Sequence, residues 1–288
     1  MDLIYTTTED KLILPGAHYS SDKKDVCVVF IHGMSGTIID NRHADVLGQT
    51  LSKSKIGFLY GHNRGYGHIS DITVADQPIL DEQKRYRRVG TTYERFEESI
   101  YDIDAWIKSA VDLGYSKIIL AGHSLGGPKV IHYMSKKSPS SVVGVILASP
   151  ADMVGLFKRY ETNPTEILEE ANRNIAQDKP LEIVSHKIYG WYYLSSQTTV
   201  DLFTKGGPAD VLSEISAIKQ PILALYGEND DSFVKSAQED LDDLKRLATR
   251  CKSFTIAIIP GANHTYDGKE TEFSEVVLDW IKVAVWDP

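Results

Sequence analysis

Apolar residues recur along this chain in short continuous runs separated by longer stretches of helical periodicity. The runs at 26–31, 56–60, 117–121, 142–148, 221–226 and 253–259 are short and almost uniformly apolar, which predicts strands buried on both faces. Residues 2–20 predict an edge hairpin that turns near Glu9-Asp10. Phe96, Ile100, Ile103, Ile107 and Ala110 repeat at helical spacing after Thr91-Thr92-Tyr93-Glu94, which reads as a capping box, and Gly114 ends the pattern. Phe273, Val276, Val277, Trp280, Ile281 and Ala284 mark a last helix. This alternation predicts an α/β protein with a mainly parallel central sheet flanked by helices on both faces.

The stretch 151–220 breaks the rhythm, because it holds no strand pattern and compact domains rarely carry so long a structureless loop. It predicts a helical cap, inserted between the strand ending near 148 and the strand starting near 221, with 1–150 and 221–288 forming the core. Pro164 to Ala171 starts one helix of the insertion, and Ala209-Asp210-Val211-Leu212 begins another. Its aromatic cluster, Tyr189, Trp191, Tyr192 and Tyr193, either walls an acyl or aromatic pocket or pins the insertion to the sheet domain. The same Tyr- and Trp-rich surface is compatible with a homodimer interface.

Composition narrows the setting. A chain of 288 residues, 42% hydrophobic, can bury the core of one soluble enzyme. A net charge of -9 argues against nucleic acid and anionic membranes as partners. Two cysteines, Cys27 inside a strand-like run and Cys251, give no disulfide framework and suit a reducing cytoplasm. Met1-Asp2-Leu3-Ile4-Tyr5-Thr6 lacks the basic start and apolar stretch of a secretion signal, and no run reaches the length of a membrane span. Among the charged features, Lys84-Arg85-Tyr86-Arg87-Arg88 reads as a solvated loop and Arg64 as a brace between loops. Glu239-Asp240-Leu241-Asp242-Asp243 lacks the glycine and ligand spacing of a calcium loop and reads as a helix surface.

The chemistry concentrates at strand ends. Gly122-His123-Ser124-Leu125-Gly126 follows Lys117-Ile118-Ile119-Leu120-Ala121 and precedes a helical stretch that tolerates Pro128 in its first turn, so Ser124 sits on a strand-to-helix turn. A serine hydroxyl needs a base to remove its proton. His264 leads the nine histidines, since it ends Gly261-Ala262-Asn263-His264 directly after the last strand run. His18, His43, His132 and His186 read as structural. The acid that fixes the imidazole is expected at the exit of 221–226, in Gly227-Glu228-Asn229-Asp230-Asp231. Asp230 is the choice, Asp231 the near rival, and Glu228 and Asp152 remain open. Two main-chain amides should hold the oxyanion: that of Leu125, after the nucleophile, and that of Met34 in His32-Gly33-Met34-Ser35-Gly36. Gly33, His123, Trp191 and Tyr192 are the expected lining of the substrate site, although the His123 side chain should point away from Ser124.

With His32-Gly33 after an early strand, Gly-His-Ser-Leu-Gly-Gly at 122–127, Gly227-x-x-Asp230 and Gly261-x-x-His264, the chain resembles the α/β-hydrolase superfamily over nearly its whole length. The resemblance implies the α/β-hydrolase fold, a serine nucleophile, a two-step acyl-enzyme mechanism, an insertion over the mouth of the active site, and neither metal nor organic cofactor. Asn63-Arg64-Gly65 with Glu94, Phe96 and Lys129 resembles a little-characterised branch that includes fungal siderophore esterases. The expected activity is hydrolysis of small-molecule carboxylic esters. Thioesterase, acyltransferase, amidase and carbon–carbon hydrolase chemistries share the same triad, and a small-molecule receptor on this fold is the alternative of a different kind.

Overall fold

The structure, a computed structural model, describes residues 1–77 and 81–285, apart from the side chains of residues 82 and 83. The chain opens with a hairpin of β1 (Asp2–Thr7) and β2 (Ile13–Tyr19), then β3 (Val26–Ile31), α1 (Arg42–Lys53) and β4 (Gly57–Gly61). A small ribbon of β5 (Ser70–Thr73) and β6 (Tyr86–Val89) flanks α2 (Glu82–Arg85). The alternation resumes with α3 (Ser99–Asp112), β7 (Lys117–His123), α4 (Gly126–Lys136) and β8 (Val142–Ala148). Next come α5 (Met153–Tyr160), α6 (Pro164–Ala176) and α7 (Ser196–Phe203), followed by a 3-10 turn at Leu212–Ala217. β9 (Ile222–Gly227), α8 (Ala237–Leu247), β10 (Phe254–Ile259) and α9 (Glu270–Ala284) complete the fold.

Eight strands form one sheet in the order β1-β2-β4-β3-β7-β8-β9-β10. Only the β1–β2 and β2–β4 pairings are antiparallel, and every pairing from β4 to β10 is parallel. Parallel strands need crossovers, which place helices on both faces and bury both sides of each strand. β3 shows the result, with all six residues buried. Its alternate side chains feed two cores: Val29 and Ile31 meet α3 and α4 through Trp106 and Val130, and Val28 and Phe30 meet α1 and α9 through Leu47 and Ile281.

A third apolar cluster joins the segment between β8 and β9 to the exit of β7 and to the stretch before α3. Leu125, Phe96 and Ala151 pack in it with Leu156, Phe157, Ile167, Leu202 and Phe203.

Several local expectations need correction. Thr91-Thr92-Tyr93-Glu94 caps no helix; a 3-10 turn occupies Phe96–Glu98 and α3 starts at Ser99. The segment instead anchors α7: Thr198 Oγ1 donates to the Thr92 and Glu94 carbonyls at 2.9 and 3.1 Å, and Arg95 pairs with buried Asp201 at 2.7 Å. Ala209-Asp210-Val211-Leu212 starts no α-helix, because Asp210 turns back to the Gly206 amide (2.8 Å) and to Lys205 (3.0 Å), a local turn that competes with helical pairing. The basic run is not a solvated loop. Tyr86–Val89 is a strand, Arg87 bonds Asp10 and Glu98 at 2.7 and 2.6 Å, and Arg88 bonds Asp71 at 2.9 Å.

Arg64 does brace: fully buried, it binds Asp102 at 2.9 Å, Asp10 at 3.0 Å and Glu98 at 2.5 Å. The acidic run lies on α8 with Leu241 turned inward. Cys27 and Cys251 are free thiols. No helix among the described residues is long and apolar enough to cross a membrane.

Candidate active site

β7 ends at His123 and α4 begins at Gly126, so two residues carry the whole reversal, and Ser124 takes φ +55° in the left-handed region. For a residue with a β-carbon that conformation costs about 1–3 kcal/mol and persists only where the surroundings enforce it. Here Ser124 N donates to the Ala148 carbonyl at 3.0 Å, and the Ser124 carbonyl accepts from Gly127 at 2.9 Å and Ala151 at 3.3 Å. The flanking glycines permit the approach. A Cβ at position 122 would lie 2.3 Å from the Gly126 carbonyl oxygen, and one at 126 would lie 2.2 Å from that of Ile31.

Gly122→Ala should therefore push β7 and α4 apart. We expect a loss of about 1–3 kcal/mol of stability in a urea titration, as overpacking costs elsewhere. Labelling of Ser124 by a fluorophosphonate should slow roughly 100-fold, because displacement of a reacting group by about 1 Å costs that much.

Ser124 faces a cavity of about 540 Å³. Gly33, Met34, His123 and His264 line it from the sheet side, and Met153, Leu156, Tyr160, Tyr189, Trp191 and Tyr192 line it from the segment after β8. Gly33, His123, Trp191 and Tyr192, the four residues expected to line a substrate site, all line this cavity. Tyr193 does not: it is exposed, with Lys187 Nζ 5.1 Å from its ring centre. Tyr189 takes both expected parts, since it lines the cavity and also packs edge-on against Phe203 at 6.0 Å.

His264 lies on the turn leaving β10, where Gly261 takes φ +69°. Its Nδ1 is 3.0 Å from Asp230 Oδ1, and no hydrogen bond joins it to Ser124, although both face the cavity. Such bonds often tighten only when substrate is present. Asp230 is buried and accepts from Ser149 Oγ at 2.5 Å and from Ser232 N and Oγ at 2.7 Å each. Burial alone would raise its pKa, but His264, Ser149 and Ser232 outweigh that and hold the carboxyl well below the usual carboxylate range.

Among the described residues none of the rival acids hydrogen-bonds His264. Asp231 is exposed, with its carbonyl accepting from Tyr160 OH at 2.5 Å. Glu228 accepts from the Gly261 amide at 2.8 Å, and Asp152 caps α5 through the Gly155 amide at 2.9 Å.

Met34 N–H and Leu125 N–H have no hydrogen-bond partner among the described residues. Leu125 stands at the N-terminus of α4, where the helix dipole favours negative charge. Gly33 allows its loop to close on the serine, since a Cβ there would lie 2.6 Å from Ser124 Cβ. His123 does turn from the hydroxyl. Its Nε2 meets the His264 carbonyl at 2.8 Å, and its ring lies between those of His264 (4.8 Å, tilted 38°) and His43 (4.7 Å, tilted 55°). Burial, reinforced by the neighbouring imidazoles, holds His123 well below the ordinary histidine range and lowers His43 to about 4, so both are neutral near pH 7. His18 meets Tyr115 OH at 3.0 Å and His132 meets Glu214 at 3.0 Å, whereas neither ring nitrogen of buried His43 has a hydrogen-bond partner among the described residues.

Two contributors escaped sequence reasoning. Ser149, at φ +46°, links Asp230 to the buried Tyr266 hydroxyl at 2.8 Å. The available signal was position, since Ser149 closes β8 at the same sheet edge and Tyr266 lies just past His264. Asp230, Asp231 and His264 bring ligand atoms within 4.8 Å of one another. The Asp230 oxygens are already engaged by Ser149, Ser232 and His264, which fits a held carboxylate better than a cation ligand.

Residues 90–285 match the family described as "Protein of unknown function (DUF1749)". The chain belongs to this family. No curated protein matches this DUF1749 chain in sequence. In structure it is similar to Est1E from Butyrivibrio proteoclasticus with ferulic acid bound, at 18% identity and TM-score 0.69, covering 98% of this chain and 99% of that one. It is also similar to the esterase Pf2001 from Pyrococcus furiosus, at 18% identity and TM-score 0.63 over 98% and 90% of the two chains. A third similar structure is the alpha/beta hydrolase GrgF from Penicillium sp. sh18, at 15% identity and TM-score 0.69 over 98% of each. The DUF1749 chain thus has the α/β-hydrolase fold.

Proposed function

We propose that this protein is a serine hydrolase of small-molecule carboxylic esters. The observation that carries the reading is Ser124 at φ +55° on a strand-to-helix turn, facing one cavity with a histidine held by a buried carboxylate. In this reading Ser124 Oγ attacks the ester carbonyl, His264 Nε2 takes its proton, and Asp230 fixes the imidazole through Nδ1 and stabilises the imidazolium. The Met34 and Leu125 amides accept the oxyanion. His264 returns the proton to the leaving alcohol, which departs and leaves the acyl group on Ser124. Water, deprotonated by His264, then attacks the acyl-enzyme, and His264 returns that proton to Ser124 Oγ as the acyl–oxygen bond breaks and the acid leaves. That similar structures include esterases supports the reading.

The lining argues about the acid component as well. Among the described residues no lysine or arginine lines the cavity, and Asp231 stands at it. A negatively charged acyl group would gain no counter-ion there, which disfavours polyanionic thioesters as substrates. Turnover of nitrophenyl esters tests both points. We expect nitrophenyl butyrate to be hydrolysed and the nitrophenyl ester of succinate to show about 20-fold lower kcat/KM, the effect of one like charge some 8–10 Å away at an effective dielectric near 20. Absence of turnover on every neutral ester would contradict the reading.

A further inference from the structure

Asn63, Arg64, Gly65, Glu94 and Lys129 are all buried, and only Arg64 is explained by the ion pairs already described. The others lead toward the cavity. Lys129 Nζ, fully buried, donates to Glu94 Oε2 at 2.5 Å and to Asn63 Oδ1 at 3.3 Å. Gly65 makes room for this pair, since a Cβ there would lie 2.4 Å from the Glu94 carboxylate, and its amide donates to Asn63 Oδ1 at 2.9 Å. With Oδ1 so held, Asn63 Nδ2 donates to the His32 carbonyl at 3.0 Å.

The Asn63 main-chain amide lies 3.0 Å from His32 Nε2. A main-chain amide can only donate, so Nε2 is the acceptor nitrogen and a neutral ring carries its proton on Nδ1. Burial, with the neighbouring His62 and Lys129, keeps His32 well below the ordinary histidine range, consistent with a neutral ring. His32 Nδ1 lies 2.8 Å from the Gly33 carbonyl oxygen. That oxygen and the Met34 N–H belong to one planar peptide unit, so holding the oxygen sets the direction of the N–H. Gly36 closes against the imidazole, since a Cβ there would lie 2.8 Å from His32 Cβ and 3.0 Å from Cγ and Nδ1.

We propose that His32 is a positioning residue for the oxyanion hole. Held in its Nδ1–H form by the Asn63 amide and clamped by the Asn63 side chain on the buried Lys129–Glu94 pair, it orients the Gly33–Met34 peptide. The inference rests on the reading of Met34 as an oxyanion donor.

Two substitutions separate this role from mere packing. In His32→Asn the Asn Nδ2 stands where Nδ1 stood and can still donate to Gly33. In His32→Gln the side-chain oxygen can still accept from the Asn63 amide, but Nδ1 has no replacement and the Gly33 carbonyl keeps only the longer bond from the Gly36 amide at 3.4 Å. We expect His32→Gln to lower kcat about 100-fold with KM little changed, within the range for loss of one oxyanion donor. It should weaken a trifluoromethyl ketone, whose adduct carries the oxyanion, by a similar factor, and His32→Asn should recover most of both losses.

Equal impairment of the two variants, or full activity in both, overturns the proposal. Should the variants not fold, imidazole nitrogen NMR on the wild-type protein decides instead: Nδ1–H supports the proposal, and Nε2–H or an imidazolium overturns it. If wild type turns over esters and His32→Gln keeps its kcat, only this inference fails. If wild type turns over none, the esterase reading fails and the inference with it.

Discussion

Ser124→Ala should lower kcat on neutral esters by on the order of 10⁶-fold, the loss seen when a triad nucleophile is removed and its partners are left idle. Stability should hardly change. The Ser124 hydroxyl has no hydrogen-bond partner among the described residues, so its deletion leaves no buried group unsatisfied. Alanine keeps the same Cβ in the same positive-φ turn, and the main-chain bonds to Ala148, Gly127 and Ala151 remain. The unfolding free energy should therefore stay within about 0.5 kcal/mol of wild type in a urea titration, as for substitutions that disturb no packing. A dead enzyme that has also lost several kcal/mol would show only that the turn had collapsed.

Asp230→Asn should lower kcat on the order of 10⁴-fold, because an amide can hold the wrong imidazole tautomer and stabilises the imidazolium poorly. Asp231→Asn should leave kcat within a few-fold of wild type, since the Asp231 side chain is exposed and its main-chain carbonyl, which survives the change, makes the contact to Tyr160. Comparing the two variants under saturating ester assigns the acid directly. Stability against pH gives an independent check. Asp230 has a depressed pKa in the folded protein, so its contribution is present above the unfolded carboxylate range and is lost as pH falls through the lower folded value. Asp230→Asn lacks that ionisation and should show a shallower acid limb than wild type in urea titrations run at successive pH values.

The fold was largely legible because it is written in local patterns. Short apolar runs such as 26–31 and 222–227 are buried on both faces, which alternation of this kind predicts, and the helices between them fall on opposite faces. Ser124, Asp230 and His264 were found as candidates for a related reason. Each follows a parallel strand directly, and such strands deliver their exits to one sheet edge.

What escaped depends on partners far apart in sequence. Arg87 reads as a solvated charge until Asp10 and Glu98 are beside it, and Glu94 reads as half of a capping box until Lys129 reaches it. Ser195–Phe203 was missed because its two threonines and a valine are poor helix formers; the helix begins where the Ser195 hydroxyl caps the Thr198 amide at 3.1 Å. The chain from Lys129 through Asn63 to His32 spans residues 66 and 31 positions apart, which no local period can link.

The most direct test of the central claim is the intact mass of the protein after treatment with a fluorophosphonate, with wild type and Ser124→Ala run side by side. One adduct on wild type, mapped to Ser124 by peptide sequencing and absent from the folded alanine variant, is the predicted result. No adduct on folded wild type, or equal labelling of the two proteins, would contradict it, because an assembled serine, histidine and carboxylate facing an open cavity must react there.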